Sequence, residues 1–531
     1  MSPPKVHQKW LWLALPLLLV TLLPGCIRLL NGAELLTAPY VYDLPDAPDH
    51  VVIPLATVGD EMPLLTGTPL SYTVSLTQTF ALTGWPDGLG LFSTPDAHFV
   101  YVNHEIVATS SSLLTVNGTG RINGARVSLL QFSPDWQLIS GRNLIERVRE
   151  SNGTVYTLDP VSGDYRDTNG QVFMQGDFAN FSRFCSGYLA ETGFLDLAGQ
   201  PGPLWFAPQE AGAEARGWVV YPDGTATPLD GLGRFSKEQI YAAGQYRAGN
   251  GSGQTVLLAT EDNADGELYL FVGQQTGADP NGFADGQLYV LRVHDGAGTA
   301  YDYETMPLGV TLVGEWTPVT TGVALGSGAG LSDWVNEPGR STNFRRLEDI
   351  HEDPTEPGSF YLASTGHTDV PPGGSEPDND TGRLHHFSLN PADPAGPMTF
   401  TTVLAGGPTT GVSYDNLVVD GLGRVTIQED RAARGADIMA AQQRYSRILR
   451  FDPSNGQLLF LWEVSQAIID PASAGDYGNW ESSGVITAPT GYLLTVQAHT
   501  LPDPNFVQGG QLLLIKPGGN RNYLPVIAAH S

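Results

Sequence analysis

Asp285-Gly286-Gln287-Leu288-Tyr289-Val290-Leu291-Arg292-Val293 is the clearest copy of a unit that recurs along the chain: a turn, then a short run of alternating apolar residues. Further copies begin at Asp265-Gly266, Asn455-Gly456, Thr381-Gly382 and Asp420-Gly421. Asp-Gly and Asn-Gly turns suit type I′ hairpins and bulged turns, and apolar residues at every second position indicate half-buried strands. Many short, similar strands in one long chain predict an all-β fold, specifically a β-propeller.

The spacing of these units is irregular, and scaling from the usual blade length predicts about six blades. Inserted loops and short helices complete the prediction. Residues 431–447 are the best helix candidate, and the polar segment 150–176 is expected to form an excursion between blades. We assign residues 76–520 to the propeller, 26–75 to a tether and the first strands, and 521–531 to a C-terminal tail.

The composition of the 531-residue chain is that of a turn-rich, acidic protein. Charged residues make up only 16% of it, and 63 Gly and 39 Pro supply turns. The formal net charge of −29 argues against a nucleic-acid partner, because phosphate backbones require a basic surface. An acidic surface is compatible with cation binding, although acidity alone mainly concerns solubility.

The first 25 residues have the pattern of an export signal. Lys5 and Lys9 precede an apolar run over residues 10–23, and the sequence Leu23-Pro24-Gly25-Cys26 resembles the bacterial lipobox. We therefore expect an exported protein whose Cys26 is lipidated and holds it at the membrane or cell surface, with no other membrane contact. The alternatives are an uncleaved membrane anchor, or a cleaved signal with an incidental cysteine. If Cys26 is lipidated, Cys185 has no disulfide partner in its own chain, which contains only two cysteines.

The stretch Arg346-Leu347-Glu348-Asp349-Ile350-His351-Glu352-Asp353 combines a guanidinium with several acids. Alternate side chains share a face in an extended segment, which predicts that Arg346, Glu348 and Ile350 lie together. Arginine can donate two hydrogen bonds to phosphate oxygens, and carboxylates bind hard cations. This face therefore suits a metal-bound phosphate ester. The alternative is a solvated acidic loop that ends at Pro354.

Acidic residues also follow several other predicted strands. The candidate metal ligands of this kind are Glu105, Glu210, Glu238, Glu261, Asp262, Glu429 and Asp430. Each one taken alone fits a capped turn or a solvated strand edge better than a metal ligand. Their recurrence once per blade predicts a ring of carboxylates around the propeller axis, and such a ring suits calcium or other hard cations.

Weaker candidates have more ordinary alternatives. Cys185 suits a thiolate ligand or, more simply, a small buried apolar residue. His385, His386 and His499 suit metal ligands or hydrogen-bonded core residues. The segment 378–382 only faintly resembles a calcium loop and also fits a plain turn.

Taken in order, these motifs resemble the PhoX-type alkaline phosphatase family, in a divergent bacterial branch, over about residues 80–515. The matching motifs are Pro86-Asp87-Gly88-Leu89-Gly90, Asn103-His104-Glu105, Phe181-Ser182-Arg183-Phe184-Cys185-Ser186, Glu210-Ala211-Gly212-Ala213-Glu214, Gly233-Arg234-Phe235-Ser236-Lys237-Glu238, Thr260-Glu261-Asp262, Arg346-Leu347-Glu348-Asp349-Ile350, Asp415-Asn416-Leu417, Trp480-Glu481-Ser482-Ser483-Gly484 and Val496-Gln497-Ala498-His499. The ordered set is far more specific than any single member.

The resemblance implies an exported propeller phosphatase that holds calcium and iron and hydrolyses a small phosphoester. It implies that Arg346 contacts the phosphate and Glu348 binds metal. It also implies that the remaining cations are held by Glu210, Glu238, Glu261 or Asp262, and Glu429 or Asp430.

One position departs from the family pattern. Well-known members carry a metal-bridging cysteine directly before a Glu-Glu pair, and aligning that pair on Gln209-Glu210 puts Pro208 in place of the cysteine. Proline cannot bridge metals, so this alignment predicts a centre without a bridging thiol unless the fold brings Cys185 there.

Two functions from different classes therefore remain open. The first is a phosphomonoesterase or phosphodiesterase, or a phytase-like esterase on the same scaffold, active as a monomer. The second is a surface propeller that binds calcium and a partner without catalysis. The presence of Arg346 with Glu348 favours the enzyme. Pro208 in place of the cysteine and Gln209 in place of the first glutamate favour the binding protein.

Overall fold

The computed structural model describes residues 38–518, apart from 48–49, 68–70, 117, 248–252, 368–380 and 433. The predicted signal, Cys26, the C-terminal tail and the calcium-like turn up to residue 380 lie outside the described residues. Within the described part of the chain, no helix is both long enough and apolar enough to cross a membrane.

Strands dominate the structure. In chain order they are β1 (Val41–Asp43), β2 (His50–Thr57), β3 (Glu61–Thr66), β4 (Thr73–Ala81), β5 (Pro86–Ser93), β6 (His98–His104), β7 (Ser111–Leu113), β8 (Arg121–Asn123), β9 (Arg126–Phe132), β10 (Leu138–Asn143), β11 (Arg147–Arg149), β12 (Val155–Asp159), β13 (Asp164–Arg166), β14 (Met174–Gln175), β15 (Phe178–Ala179), β16 (Tyr188–Ala190), β17 (Leu204–Pro208), β18 (Gly217–Val220), β19 (Thr225–Pro228), β20 (Lys237–Ala242), β21 (Gln254–Glu261), β22 (Leu268–Gln274), β23 (Gly286–His294), β24 (Ala300–Tyr301), β25 (Thr311–Pro318), β26 (Leu347–Glu352), β27 (Ser359–Ser364), β28 (Arg383–Ser388), β29 (Met398–Ala405), β30 (Tyr414–Val419), β31 (Val425–Glu429), β32 (Arg447–Asp452), β33 (Gln457–Val464), β34 (Trp480–Ala488), β35 (Gly491–Asp503) and β36 (Val507–Pro517).

The helices are short. They are α1 (Thr321–Ala324), α2 (Gly328–Val335), α3 (Gly435–Gln442) and α4 (Gln466–Ile469), with single 3₁₀ turns at Asp230–Leu232, Gly244–Tyr246 and Pro471–Ser473. The helix predicted over 431–447 is α3, and it is shorter than predicted. Gln443 has a φ of 53° and ends the helix in the left-handed conformation.

The strands form six blades around one axis, numbered here in chain order. Blade 1 contains β5, β6, β9 and β10; blade 2, β16–β19; blade 3, β20–β23; blade 4, β26–β29; blade 5, β30–β33; and blade 6, β34–β36 with β2. The first strands β5, β16, β20, β26, β30 and β34 contact each other in that order, and β34 contacts β5 again. The ring is closed, which confirms the predicted all-β propeller.

N-terminal strands complete three of these blades. β2 pairs antiparallel with β36 in blade 6, β1 pairs antiparallel with β33 in blade 5, and β3 pairs parallel with β10 in blade 1. The start of the described chain is thus hydrogen-bonded to its end, and a closed ring leaves few free edges.

The segment predicted as an excursion between blades lies between β10 of blade 1 and β16 of blade 2, and it extends blade 2. β11, β12 and β13 form an antiparallel meander, and β11 pairs parallel with β19 at the outer edge of blade 2. Its polar, turn-rich sequence fits strands that are only partly buried.

The core lies between the blades rather than under one face of a sheet. In β21, Leu257 and Ala259 pack into an apolar cluster with Phe206 of blade 2. Val256 and Leu258 pack on the other side with Leu347 of blade 4. Both faces of this strand are therefore buried, whereas alternation alone had indicated half-buried strands. Face-to-face packing of neighbouring blades is the physical reason.

Glycine allows the first strands to approach each other closely near the axis. A Cβ on Gly88 of β5 would lie 2.1 Å from the amide nitrogen of Gly187, and one on Gly484 of β34 would lie 2.4 Å from the carbonyl oxygen of Asp87. A side chain at either position would push blades 6, 1 and 2 apart. These glycines hold together the part of the ring where the acidic side chains gather.

Candidate metal centre

Each blade contributes two side chains to the same end of the axis. In each blade these two side chains follow a couple of residues that pair across the first and second strands, or by an isolated bridge beside them in blade 2: Pro86 with His104, Phe184 with Gln209, Lys237 with Glu261, Leu347 with Ser364, Tyr414 with Glu429, and Trp480 with Ala498. The residues that directly follow each couple are Asp87 and Glu105, Cys185 and Glu210, Glu238 and Asp262, Glu348 and Thr365, Asp415 and Asp430, and Glu481 and His499. Nine of these twelve positions are acidic, so the blade repeat builds an acidic ring.

A shared backbone turn aims these side chains. The residue before the first strand is in the left-handed region in four blades: Trp85, Arg183, Arg346 and Ser413, with φ between 50 and 54°. In blades 1 to 5 the carbonyl of the residue at this position accepts a hydrogen bond from the amide that follows the second strand, as in Glu210 to Arg183 at 2.9 Å and Thr365 to Arg346 at 3.0 Å. Non-glycine residues in this region are uncommon and concentrate at functional sites.

Among the described residues, three groups of side chains come close enough to hold a cation. Their ligand atoms lie within 4.8 Å of one another in the sets Asp87–Glu105–Cys185, Cys185–Glu210–Glu238 and Glu238–Glu348–Asp415. Cys185 belongs to two of the sets, and Glu238 belongs to two. The three sets therefore form one continuous cluster, which we call the acidic centre.

A thiol is present in this centre, contrary to the expectation from Pro208. Cys185 is buried, and its Sγ–H donates to Glu210 Oε2 at 3.0 Å. Pro208 is the last residue of β17 and pairs with Gly217. The thiol beside Glu210 therefore comes from Cys185 in the motif at residues 181–186, not from residue 208.

Arg346 lies at the edge of the acidic centre. Its Nε and Nη2 donate to the two carboxylate oxygens of Asp262 at 2.8 and 3.0 Å. Its Nη2 is 3.3 Å from Glu348 Oε1, and its Nη1 is 3.8 Å from Asp430 Oδ2. Glu348 also accepts a hydrogen bond from Thr365 Oγ1 at 2.5 Å. The guanidinium and the carboxylate predicted to share a face do lie together.

The prediction that Ile350 shares the face of Arg346 and Glu348 is wrong. The pairing of β26 with β27 shifts between Leu347 and Ile350, and both of these side chains pack in one apolar cluster. A bulge of this kind breaks strict alternation. It leaves Asp349 directed at blade 5, where its Oδ2 accepts from the Leu417 amide at 3.1 Å.

Two of the predicted metal ligands, Glu261 and Glu429, lie outside the ring, and Asp262 and Asp430 lie in the ring but in none of the three ligand sets. Glu429 is fully buried and bonded by Arg444 at 2.5 and 2.9 Å. Glu261 accepts from Tyr269 Oη at 3.2 Å. Each is the last residue of its strand, whereas Asp262 and Asp430 follow one position later on the opposite face. Strand alternation therefore separates the two members of each acid pair.

The ring also contains groups outside the main set of predicted ligands, and of these only Cys185 and His499 had been weaker candidates. These groups are Asp87, Cys185, Asp415, Glu481 and His499. Each lies at a position equivalent to a predicted ligand in another blade, and an acid one residue into the first strand was a visible signal for three of them. His499 Nε2 is 3.4 Å from Glu481 Oε1, and its Nδ1 contacts Gln508 Oε1 at 2.9 Å. His385, by contrast, packs among core aromatic rings.

Crowding makes the carboxyls of this centre hard to ionise together. Burial, with the neighbouring acids, raises the pKa values of Asp87, Glu238, Glu348 and Asp415 well above their ordinary range. Burial and Asp262 raise the pKa of Glu210 to about 8, and burial and Glu481 raise the pKa of Asp430 to about 7. Burial also raises the pKa of the Cys185 thiol. Cations would remove this penalty by replacing the protons.

The oxygen atoms of the centre fit such cations. Asp87 Oδ1 and Gln497 Oε1 are buried and, among the described residues, have no hydrogen-bond partner. Gln497 Nε2 donates to Asp87 Oδ2 at 3.2 Å and to Glu105 Oε2 at 3.1 Å, which leaves its oxygen on the remaining side. Buried oxygens without donors are suited to a metal ion or an ordered water.

Fold and centre together define a six-bladed β-propeller with an acidic, thiol-containing candidate metal centre at one end of its axis. A family profile described as "Alkaline phosphatase PhoX" matches residues 210–500. The chain belongs to this PhoX alkaline phosphatase family, a family of phosphatase-like, metal-dependent hydrolases. No curated protein matches the sequence.

One solved structure with a TM-score above 0.5 agrees in fold. The chain is similar to Pseudomonas fluorescens PhoX in complex with vanadate, a transition state analogue, with a TM-score of 0.57 and 16% identity, covering 91% of this chain and 96% of that one. A mutant of Synechocystis apocarotenoid oxygenase matches with a TM-score of 0.33 and 11% identity, covering 82% and 95%. Trypanosoma rangeli sialidase matches with a TM-score of 0.33 and 8% identity, covering 88% and 60%.

Proposed function

We propose that this chain is a metal-dependent phosphatase that hydrolyses small phosphomonoesters or phosphodiesters in the acidic centre. The observation that carries the proposal is the position of Arg346, which contacts Asp262 and Glu348 where the carboxylate cluster ends. An arginine beside a multi-carboxylate cluster suits a phosphate group held between a guanidinium and cations. Family membership supports the same reaction class.

The donor set supports two kinds of metal. The all-oxygen set Glu238–Glu348–Asp415 suits calcium, which prefers carboxylate and carbonyl ligands. The two sets that share the Cys185 sulfur suit a softer, redox-capable metal such as iron. Cations bound there would act as Lewis acids on the phosphate oxygens and offset their negative charge.

The chain's own residues bind and orient the substrate. Although burial opposes its charge, Asp262 and Glu348 hold the pKa of Arg346 well above its ordinary value, so the guanidinium stays protonated. Its fork can contact two phosphate oxygens and stabilise the charge that develops on them during phosphoryl transfer. Thr365 and Arg346 both hold Glu348, and this fixes the carboxylate where a cation would need it.

The first test is elemental analysis of the purified protein, followed by phosphoester assays with calcium and iron supplied. Calcium with near-stoichiometric iron and turnover of a phosphomonoester or diester would support the proposal. Calcium without turnover of any phosphoester would favour the non-catalytic calcium-binding propeller. Absence of bound metal after gentle purification would count against the centre itself.

We also propose that the protein is exported and held at the membrane or cell surface by a lipid on Cys26, and that it acts as a monomer without nucleic acid. The lipobox-like Leu23-Pro24-Gly25-Cys26 supports the anchor, and the net charge of −29 disfavours nucleic acid. Replacing Cys26 with alanine should move the protein from the membrane fraction into the soluble fraction. Light scattering coupled to size exclusion should give the mass of one chain.

A further inference from the structure

Arg183 of blade 2 and Arg346 of blade 4 occupy the same place in the blade repeat. Each directly precedes the first paired residue of its blade and is in the left-handed region, with φ of 50° and 54°. The carbonyl of Arg183 accepts the Glu210 amide at 2.9 Å, and that of Arg346 accepts the Thr365 amide at 3.0 Å. The backbone therefore presents the two guanidinium groups to the acidic centre in the same manner.

Arg183 also resembles Arg346 in its contacts. Its Nε and Nη2 donate to Glu105 Oε1 at 2.8 and 2.5 Å, and its Nη2 is 2.6 Å from Glu210 Oε2. It thus joins the acids of blades 1 and 2, as Arg346 joins those of blades 3, 4 and 5. Both arginines bridge neighbouring blades at the edge of the ring.

A continuous set of contacts connects the two guanidinium groups through the centre. Glu210 and Glu238 lie in one ligand set, and Glu238 and Glu348 lie in the next. Arg183 contacts the first of these carboxylates and Arg346 contacts the last. The two arginines consequently contact different carboxylates of the same cluster.

The side chain of Arg183 is more exposed than that of Arg346 or of the enclosed structural arginine Arg444. Its side chain is 38% exposed, compared with 24% for Arg346 and 3% for Arg444, which is enclosed with Glu429. A guanidinium carries five N–H donors, and the exposed part of this one is available to a ligand from solvent. A tetrahedral phosphate offers enough oxygens for two such forks.

We propose that Arg183 is a second phosphate-contacting residue of the acidic centre, placed in blade 2 at the position that Arg346 occupies in blade 4. This inference rests on the proposed function, because it names a further substrate contact of the same site. Arg346 holds one edge of the phosphate group and Arg183 holds another. Substrates that carry negative charge on both sides of the phosphorus centre gain the most from this arrangement.

The test measures binding of inorganic phosphate and of vanadate to the full-length, metal-loaded protein by calorimetry. Arg183→Gln should keep its metal content and raise the Kd for both anions by about tenfold or more, since a charge-assisted contact is lost. Arg183→Lys should raise it less, because a point charge remains without the planar fork. The KM for a phosphomonoester should rise with the Kd.

Arg147→Gln is the matched control. Arg147 is 40% exposed and paired with Asp223, and it lies in β11 outside the acidic centre. Its replacement should leave the Kd unchanged.

Wild-type Kd values in metal-loaded Arg183→Gln would overturn the inference. So would loss of metal from both Arg183 variants, because Arg183 would then only hold Glu105 and Glu210. If Arg183→Gln does not fold, an unchanged Kd in Arg183→Lys would overturn the inference and a raised one would support it. Metal and phosphate binding without ester turnover would instead refute the proposed function and leave the role of Arg183 standing.

Discussion

The sulfur of Cys185 lies 3.0 Å from Glu210 Oε2, across the first strand pair of blade 2. The two residues are equivalent partners in the blade repeat, one after Phe184 and the other after Gln209. A thiol and a carboxylate in contact give this centre a mixed sulfur and oxygen donor set. That mixture distinguishes it from an all-oxygen calcium site.

Replacing this thiol should remove the softer metal selectively. Cys185→Ser is expected to lower bound iron at least about tenfold and to abolish any thiolate-to-iron absorption, because a hydroxyl is a poor ligand for such a metal. Calcium in the Glu238–Glu348–Asp415 set should be retained. Elemental analysis and visible spectroscopy of the two proteins provide the measurement. Full iron content in Cys185→Ser would contradict the assignment.

A second variant tests whether a metal-binding cysteine would instead belong at residue 208, directly before Gln209 and Glu210. A cysteine introduced at Pro208 would lie in β17 opposite Gly217 rather than in the ligand sets. The double variant Cys185→Ser with Pro208→Cys should therefore stay as poor in iron as the single variant. Recovery of iron in the double variant would show that the bridge belongs at residue 208.

Arg346 should be required for turnover but not for folding. Arg346→Ala is expected to lower kcat/KM for a phosphomonoester by about 10²- to 10³-fold, the usual loss for one preorganised donor to transition-state charge. Metal content should change little. Arg345→Ala is the matched control: Arg345 bonds Glu304 at 2.6 Å and the Ala264 carbonyl at 2.7 Å, away from the ligand sets, and its loss should leave kcat/KM within about threefold. Equal losses in the two variants would argue against a specific role for Arg346.

Adjacent acids at the end of β31 should have different roles. Glu429→Gln leaves the buried Arg444 guanidinium without its carboxylate and should lower the free energy of unfolding by about 3–5 kcal/mol. Asp430→Asn lies on the ring side and should instead reduce metal content or turnover, with a smaller effect on stability. Urea unfolding and elemental analysis separate the two effects. If Glu429→Gln lost metal while remaining as stable as wild type, the placement of these side chains would be wrong.

The propeller fold and the region of the acidic centre could be predicted from the sequence, because turns followed by strands and acids after strands are local signals. The position of the strand ends alone could not show which acid of each adjacent pair, Glu261 or Asp262 and Glu429 or Asp430, faces the ring. That choice depends on which face meets the axis, and blades bury both faces. The bulge between Leu347 and Ile350 was equally invisible.

The position of Cys185 beside Glu210 could not be predicted from the sequence for a related reason. Its partner Glu210 is paired with it through the β-bridge of Phe184 with Gln209, not through proximity in the chain. Only the register of all six blades shows that Cys185 is equivalent to Asp87 and Glu238. An alignment centred on the acid pair therefore pointed to Pro208.

Removing the metals should make folding stability depend on pH in an unusual direction. The folded-state pKa of Glu210 is raised to about 8 and that of Asp430 to about 7, from ordinary values of 4.5 and 3.8. The folded, metal-free protein thus binds more protons than the unfolded chain in this interval, and stability falls as pH rises through it. The folded-state pKa of His499 is raised to about 9, against the opposing effect of burial, by its contact with Glu481, and it adds a loss of the same sign above its ordinary value.

Urea unfolding of chelator-treated protein should therefore show a lower midpoint at about pH 8 than at about pH 5. Protein loaded with calcium should not, because cations take the place of the protons and favour the ionised carboxylates. Glu210→Gln removes one of the responsible groups and should flatten the pH dependence of the chelated protein. A chelated protein whose midpoint rises between these two pH values would mean that the carboxyls of the ring are ionised and stabilised without metal, and the electrostatic argument for bound cations would fail.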